Sequence, residues 1–236
     1  NANLFTLSIT GCIAILLVSF VATFLYYNND KQARTNKAVQ SDRQNFEVAI
    51  SAKKKVWQSN ALQVANSSEV KKSLIENNRE IANSVLKQLG RVFKDNTGFK
   101  NVQVHLIDKD LNSFYKSWAP DKFGEKLTHS KGYSLVKSTK KSFVAMEMSS
   151  KGIRLKGLFP VLDGSTFIGI ANFEGGLNSI KRTLKPYDID FIYFMDDAFL
   201  HIAKGMGKKP RLANYILNQK DIDKEFFDYI RKPGIF

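Results

Sequence analysis

From Leu4 to Tyr27 the chain carries no charge and is almost wholly apolar, 24 residues reading LFTLSITGCIAILLVSFVATFLYY. A helix of that length rises roughly 36 Å, enough to cross a ~30 Å hydrocarbon core. It must be helical there, because lipid offers the backbone no hydrogen-bond partners. Tyr26 and Tyr27 stand where the run meets the polar stretch NNDKQARTNK, as interfacial aromatics do. The run is longer than the apolar core of a cleaved leader, and it ends in bulky Phe24, Leu25, Tyr26 and Tyr27 rather than small residues. Residues 1–28 are therefore expected to form an uncleaved transmembrane anchor. The first residue is Asn, not Met, so earlier residues are expected, and orientation cannot be read from flanking charge.

Beyond the anchor the period changes. Residues 29–94 contain no proline and one late glycine, Gly90, and apolar positions recur at helical spacing. Phe46, Ile50 and Trp57 form one set; Leu74, Ile81, Val85, Leu89 and Phe93 form another. Asn66-Ser67-Ser68 predicts a break, with Ser68 capping a second helix from Glu69. Asp95-Asn96-Thr97-Gly98 predicts a turn. Strands follow: VQVHLID (102–108), a turn at 109–112, and SFYKSWA (113–119) as a hairpin partner. After a loop and a short helix around SLVKS come SFVAMEMS (142–149), GIRLKGLFPVL (152–162), the turn Asp163-Gly164, and STFIGIANFEGGL (165–177). These three predict an antiparallel meander. A helix stopped near Pro186, a strand at 189–196, a polar loop over 198–209, a short strand at 215–219 and a final helix capped by Asp221 complete the chain. This last unit has too few strands to close a sheet of its own, so the chain is expected to be part of a longer protein.

Composition narrows the choices. The net charge is +14, and every charged residue follows the anchor. The lysines are scattered rather than blocked, with KKK at 53–55 and pairs at 71–72, 140–141 and 208–209. No zinc-finger spacing or RNA-binding aromatic motif accompanies them, so nucleic acid is not an expected partner. A solvated basic surface and the attraction of small anionic ligands both remain open. The one cysteine, Cys12, lies in the anchor, which leaves the rest without disulfides or thiol chemistry and fits a bacterial periplasm. His105, His129 and His201 are too dispersed for a metal site. With no G-x-S-x-G elbow, cysteine nucleophile or metal cluster, an enzyme is not expected, and no cofactor is implied.

The order of elements, anchor, long helix, hairpin, loop, meander and the start of a second α/β unit, resembles the Cache family of extracellular PAS-like sensor domains. VQVHLIDKDLNSFYKSWAPDKFGEKL (102–127) is similar to the double Cache type of sensor kinases and chemoreceptors, where a His-bearing strand is followed by Ser-Phe, a bulky or basic pair, Pro and an aromatic-Gly. FVAMEMSSKGIRLKGLFPVLDGSTFIGIANFEGGL (143–177) resembles the segment that follows. It carries Glu, Gly-x-x-x-(Arg/Lys)-Gly-x-x-Pro-Val, a turn, Phe-x-Gly and an acidic strand end. The resemblance covers roughly residues 45–195. It implies an α+β fold: an N-terminal transmembrane helix, a long helical stalk (29–94), a membrane-distal PAS-like antiparallel sheet (95–186), and the start of a truncated membrane-proximal subdomain (187–236).

In PAS-like sensors the ligand lies over one sheet face beneath a loop-and-helix lid, so alternate strand positions should line it. On 113–119 the alternation puts Phe114, Lys116 and Trp118 on one face and Ser113, Tyr115 and Ala119 on the other. The candidate ligand-binding residues are His105, Tyr115, Lys116, Trp118, Arg154, Lys156, Glu147 and Glu174. Arg154 and Lys156 share a face, and a cation there can hold a carboxylate. Plainer accounts stand beside each: Trp118 as core, His105 as a hydrogen-bonded core histidine, Glu147 and Glu174 as ion-pair partners of Arg154 or Lys156. The resemblance implies a sensor in the inner membrane with its domain in the periplasm. It would bind a small molecule, an anionic metabolite being the candidate the charge favours. It would pair as a homodimer through its long helix and pass a helix shift to a chemoreceptor, kinase or cyclase output. The alternative is an anchored structural or interaction domain without a ligand.

Overall fold

The computed structural model describes residues 2–96, 103–219 and 222–234, with side chains from Leu16 onward except those of Lys94 and Asn96. A continuous helix, α1 (Ala2–Asn66), opens the chain. It contributes to two compact units, Asn1–Val48 and Ala49–Phe236. In the first unit Leu16, Phe20, Phe24, Leu25 and Tyr26 are exposed, while Phe46 is half-buried. Among the described residues no helix is long and apolar enough to cross a membrane. The expected span 4–27 falls partly on residues 2–15, whose side chains lie outside the description.

In the second unit α1 ends at Asn66, whose amide donates to the Leu62 carbonyl at 3.1 Å. The expected break is there, one residue earlier than anticipated: the capping side chain is Ser67, which accepts from the Val70 amide at 3.3 Å. α2 (Ser68–Ile75) is then cut from α3 (Arg79–Asn96) by a second break that the helical periodicity did not suggest. Asn77 takes a left-handed φ of 50°, and Asn78 Oδ1 accepts from the amides of Glu80 and Ile81. Asparagine tolerates the left-handed region and caps well, so an Asn-Asn pair can end one helix and start the next. Asp95 and Asn96 close α3. The rest of the expected 95–98 turn and the expected cap Asp221 lie outside the described residues; the last helix, α6 (Lys224–Ile230), is capped by Asp223.

The strands form one five-stranded antiparallel sheet, β1 (Gln103–Asp108), β2 (Ser113–Lys116), β3 (Phe143–Ser149), β4 (Gly152–Asp163) and β5 (Thr166–Gly175), in the order β2-β1-β5-β4-β3. Both the hairpin and the meander read from the sequence are present. α4 (Lys131–Thr139) is the expected short helix, and α5 (Asn178–Leu184) follows β5. A three-stranded sheet of β6 (Phe194–Asp196), β7 (Arg211–Leu212) and β8 (Tyr215–Leu217) lies beyond, in the order β6-β8-β7. The expected strand at 189–196 shrinks to its last three residues. The expected polar loop at 198–209 holds two 3-10 turns that bury Ala203 and Met206 against Met195 and Ile216, with Met148 and Ile153 of the β3–β4 hairpin beside them. The Asn218 side chain accepts from the Ile153 amide, tying that hairpin to the second sheet.

The two faces of the large sheet pack differently. Toward α1 and α3 it presents Phe173, which meets Trp57 edge-on at 5.4 Å and Phe93 at 5.7 Å. Here α1 comes so close that a Cβ on Gly157 would stand 2.6 Å from the Trp57 carbonyl oxygen. Toward α4 lies a second core of Ile107, Tyr133, Val136, Leu158 and Ile170. Gly157→Ala must push α1 off the sheet, since the obstacle is backbone and cannot rotate away. The expected loss is about 1–3 kcal/mol by the cost of overpacking, read as a lower urea midpoint; an unchanged midpoint would mean that α1 does not seat on this strand.

Candidate functional site

Cross-strand pairing builds a polar band on the α4 side of the sheet. His105 of β1 pairs with Lys116 of β2 and with Asn172 of β5, so the three share a face. One step along, Gln103 pairs with Glu174, and Glu174 with Lys156 of β4. Arg154 and Glu147 pair one step further, at the rim. Alternation by twos places these rows on a single face.

The expected alternation of 113–119 is broken by a bulge. Leu106 pairs with Tyr115 while the next residue, Ile107, pairs with Ser113, so Phe114 is an extra residue. Ser113 thereby returns to the side of His105. Tyr115 points the other way, toward α3, where its hydroxyl donates to Asn83 Oδ1 at 2.7 Å. Of the candidate residues, Tyr115 is the one that the fold turns to the opposite face. Phe114, expected to share the face of Lys116, is buried in the bulge.

At the centre of the band His105 is 4% exposed, with Nε2 2.8 Å from Ser113 Oγ. The rings of Trp118 and Tyr133 meet it edge-on, at 5.9 and 6.2 Å. Burial, and then the nearby ammonium groups of Lys116 and Lys156, push its pKa down to about 3, so the ring is neutral. Lys156 is buried, pairs with Glu147 at 2.9 Å and sits 5.4 Å from the Tyr133 ring centre. The ion-pair account of Glu147 therefore holds, with Lys156 as the partner. Lys116 pairs with Glu125 of the loop ahead of α4, at 2.7 Å.

Three residues of the band were not singled out from sequence. Asn172 is fully buried; its amide donates to the Tyr133 hydroxyl at 2.9 Å and more weakly to Glu174 at 3.3 Å. Its Oδ1 is buried and has no hydrogen-bond partner among the described residues. Tyr133, on the lid helix α4, has its hydroxyl pKa raised by burial and then by Glu174 and Glu147, so it stays neutral. Ser113 is the third. Asn172 was legible in principle, being two residues before Glu174 on the same strand face. Tyr133 required knowing that α4 folds over this face. Arg154 stands apart from the band: its Nη2 donates to Gln103 Oε1 at 2.5 Å at the sheet rim. Among the described residues no group of three or more metal-ligating side chains gathers.

Residues 32–188 match a family profile of the double Cache type, described as the double sensory domain of two-component sensor kinases. Among solved structures, the sensor domain of the V. cholerae histidine kinase DctB is similar at 18% identity and a TM-score of 0.55, over 85% of this chain and 76% of that one. The ligand-binding domain of the Campylobacter jejuni chemoreceptor Tlp3, solved with 4-methylisoleucine, aligns at 11% identity and 0.48, over 84% and 70%. The E. coli DcuS sensor domain aligns at 15% identity and 0.41, over 56% and 96%. No curated protein matches.

Because the native value of His105 is lowered from the ordinary 6.5, the unfolded chain binds the proton more tightly, and stability must fall as pH drops below about 6.5 toward 3. Between pH 7 and pH 5 this residue alone should remove about 2 kcal/mol. Urea unfolding at the two pH values, compared between the native chain and His105→Gln, measures it. The difference between the pH values should shrink in the variant, and an equal difference would mean that His105 is not held neutral.

Proposed function

The chain belongs to the double Cache family of sensory domains, and from that premise we propose that it is the extracytoplasmic sensing region of a bacterial transmembrane receptor. Its small-molecule ligand would sit in the polar band beneath α4. The observation that carries this reading is the buried, unpartnered Oδ1 of Asn172 beside the Glu174 carboxylate, on a sheet face whose lid is a single short helix. A buried acceptor without a donor costs free energy, and a ligand hydroxyl or ammonium would relieve it. Lys156, His105 and Ser113 share that face, with the Trp118 ring against His105, and supply donors and an aromatic wall. A ligand acceptor such as a carboxylate would draw Lys156 from Glu147, which is how an anionic metabolite would be held.

The proposed anchor is residues 1–28, supported by the uncharged run 4–27 and by the exposed apolar side chains that the first unit carries from Leu16 to Tyr27. In this reading the inner membrane holds the anchor and the sheets lie in the periplasm. Signalling would be a population shift. Ligand favours one position of α4 and of strands β4 and β5; their other face is seated on Trp57 of α1, so the helix moves with them, against a second copy of itself. The domain division follows: 29–94 helical, 95–186 the membrane-distal subdomain, and 187–236 part of a membrane-proximal one. Sensing rather than catalysis is the role assigned to this region.

A second reading, an anchored domain without a ligand, is favoured by one observation: Lys156 with Glu147, Lys116 with Glu125 and His105 with Ser113 already satisfy one another. A thermal-shift screen of the purified chain against amino acids, organic acids and amines separates the two. A ligand at about 100 times its dissociation constant stabilises by about 2.7 kcal/mol, which for this size is a rise of about 5–10 °C. The sensing reading expects such a rise from at least one class, abolished in Asn172→Ala and Glu174→Gln. Silence from all three classes would favour the second.

A further inference from the structure

At the rim of the sheet, where β4 begins and β5 ends, the side chains are cationic and the neighbouring carboxylates are spent. Two cavities, of about 320 and 330 Å³, flank Tyr193 and share Asn178 and Gln219. The first is lined by Lys151, Arg154 and Lys209, the second by Lys181, Arg182 and Lys185, and neither by any Asp or Glu among the described residues. Of these six, Lys181 has an ion-pair partner, the exposed Asp190 at 3.2 Å. Glu147 stands opposite Arg154 across β3–β4, but its carboxylate is turned to Lys156. Behind the cavities Lys53 of α1 is 8% exposed. It donates to the Ser179 hydroxyl and rests 4.0 Å from the Trp57 ring centre, with no carboxylate in ion-pair reach among the described residues. Burial first, and then the nearby Arg182 and Arg154, push its pKa down to about 8.

Arg154 shows where an anion would go. One end of its guanidinium is fixed by Gln103, while its Nε is buried without a hydrogen-bond partner among the described residues. Its Nη1 faces Gly176. A Cβ built on Gly176 would stand 3.3 Å from that nitrogen and 3.9 Å from both the Asn178 amide nitrogen and the Tyr193 hydroxyl. Around that position stand Arg154 Nη1, the Asn178 amide nitrogen and the Tyr193 hydroxyl, which donates to Asn178 Oδ1 at 3.4 Å. A guanidinium with a held orientation is suited to grip an oxyanion through parallel hydrogen bonds. A cleft lined by one sign of charge concentrates counter-ions of the other.

We propose that this rim cleft, between the five-stranded sheet and the three-stranded one, binds a small molecule through its carboxylate or phosphate group. Arg154 and the bare backbone of Gly176 form the seat, and Lys53 and Arg182 supply the surrounding positive field. It is a second site, one row beyond the band that holds Asn172 and Glu174. Since its lining joins β4 and α5 to the residues flanking the second sheet, an anion there would stiffen the joint between the two sheets.

The test uses the full chain and simple probes, inorganic phosphate, sulfate, acetate and malonate, each compared with sodium chloride at equal ionic strength. Thermal shift and calorimetric titration are read together. At least one probe should raise Tm beyond the chloride control. Arg154→Gln should weaken its binding by at least about tenfold, the worth of a lost charge-assisted hydrogen bond. Gly176→Ala should do the same by filling the seat while keeping every charge, so it decides the matter if Arg154→Gln fails to fold. Glu174→Gln should leave this binding intact. The proposal is overturned if chloride does as well as every probe, or if Gly176→Ala binds as the native chain does. It is equally overturned if binding is lost in Glu174→Gln instead, which would place the anion in the polar band.

Discussion

A β-strand sends successive side chains to opposite faces, and everything in the larger unit follows from how this sheet divides them. Val104, Leu106, Leu155 and Phe173 go to one side and meet α1 and α3 in an apolar layer. His105, Asn172, Glu174 and Lys156 go to the other and meet α4. The first layer drives folding by burial. The second could have been apolar too, and toward Leu111 and Val136 it is. Its charged portion adds little to stability, because a buried ion pair such as Lys156–Glu147 roughly repays its desolvation. In the proposed reading these polar groups are kept for recognition.

The same division couples the site to the helix. Gly157 lies between Lys156 and Leu158, which face α4, and itself faces the Trp57 carbonyl of α1. A displacement of β4 by the proposed ligand on one face would reach α1 on the other through a contact with no slack. Gly175 repeats the arrangement next to Glu174, its Cβ position lying 2.6 Å from the Trp57 ring. Close-packed interfaces of this kind do not deform gradually, which is the property a two-state signal needs.

Much of this was legible in the sequence, and what was hidden was hidden for definite reasons. The strands and their hairpin and meander order follow from alternation and from turn residues such as Asp163-Gly164. The bulge at Phe114 does not, because SFYKSWA alternates equally well with or without an extra residue, and only pairing to β1 reveals which one is skipped. That one residue brought Ser113 round to the face of the candidate site. The break at Asn77-Asn78 was missed because neither proline nor glycine marks it. Lys53 was overlooked inside a run of lysines that reads as a solvated face. Its position four residues before the buried Trp57 puts it on the same side of α1, the one cue that it turns inward. Partners distant in sequence, Tyr133 with Asn172 and Arg154 with Gln103, belong to the tertiary fold alone.

The central claim is that the face beneath α4 is a ligand chamber coupled to α1. Hydrogen exchange along the chain, with and without a ligand that raises its melting temperature, tests this most directly. The account predicts slowed exchange concentrated in α4, β1, β4 and β5, with a change in the same experiment over residues 53–61 of α1. Protection confined to residues outside that sheet, or protection of the sheet that leaves α1 untouched, would contradict it.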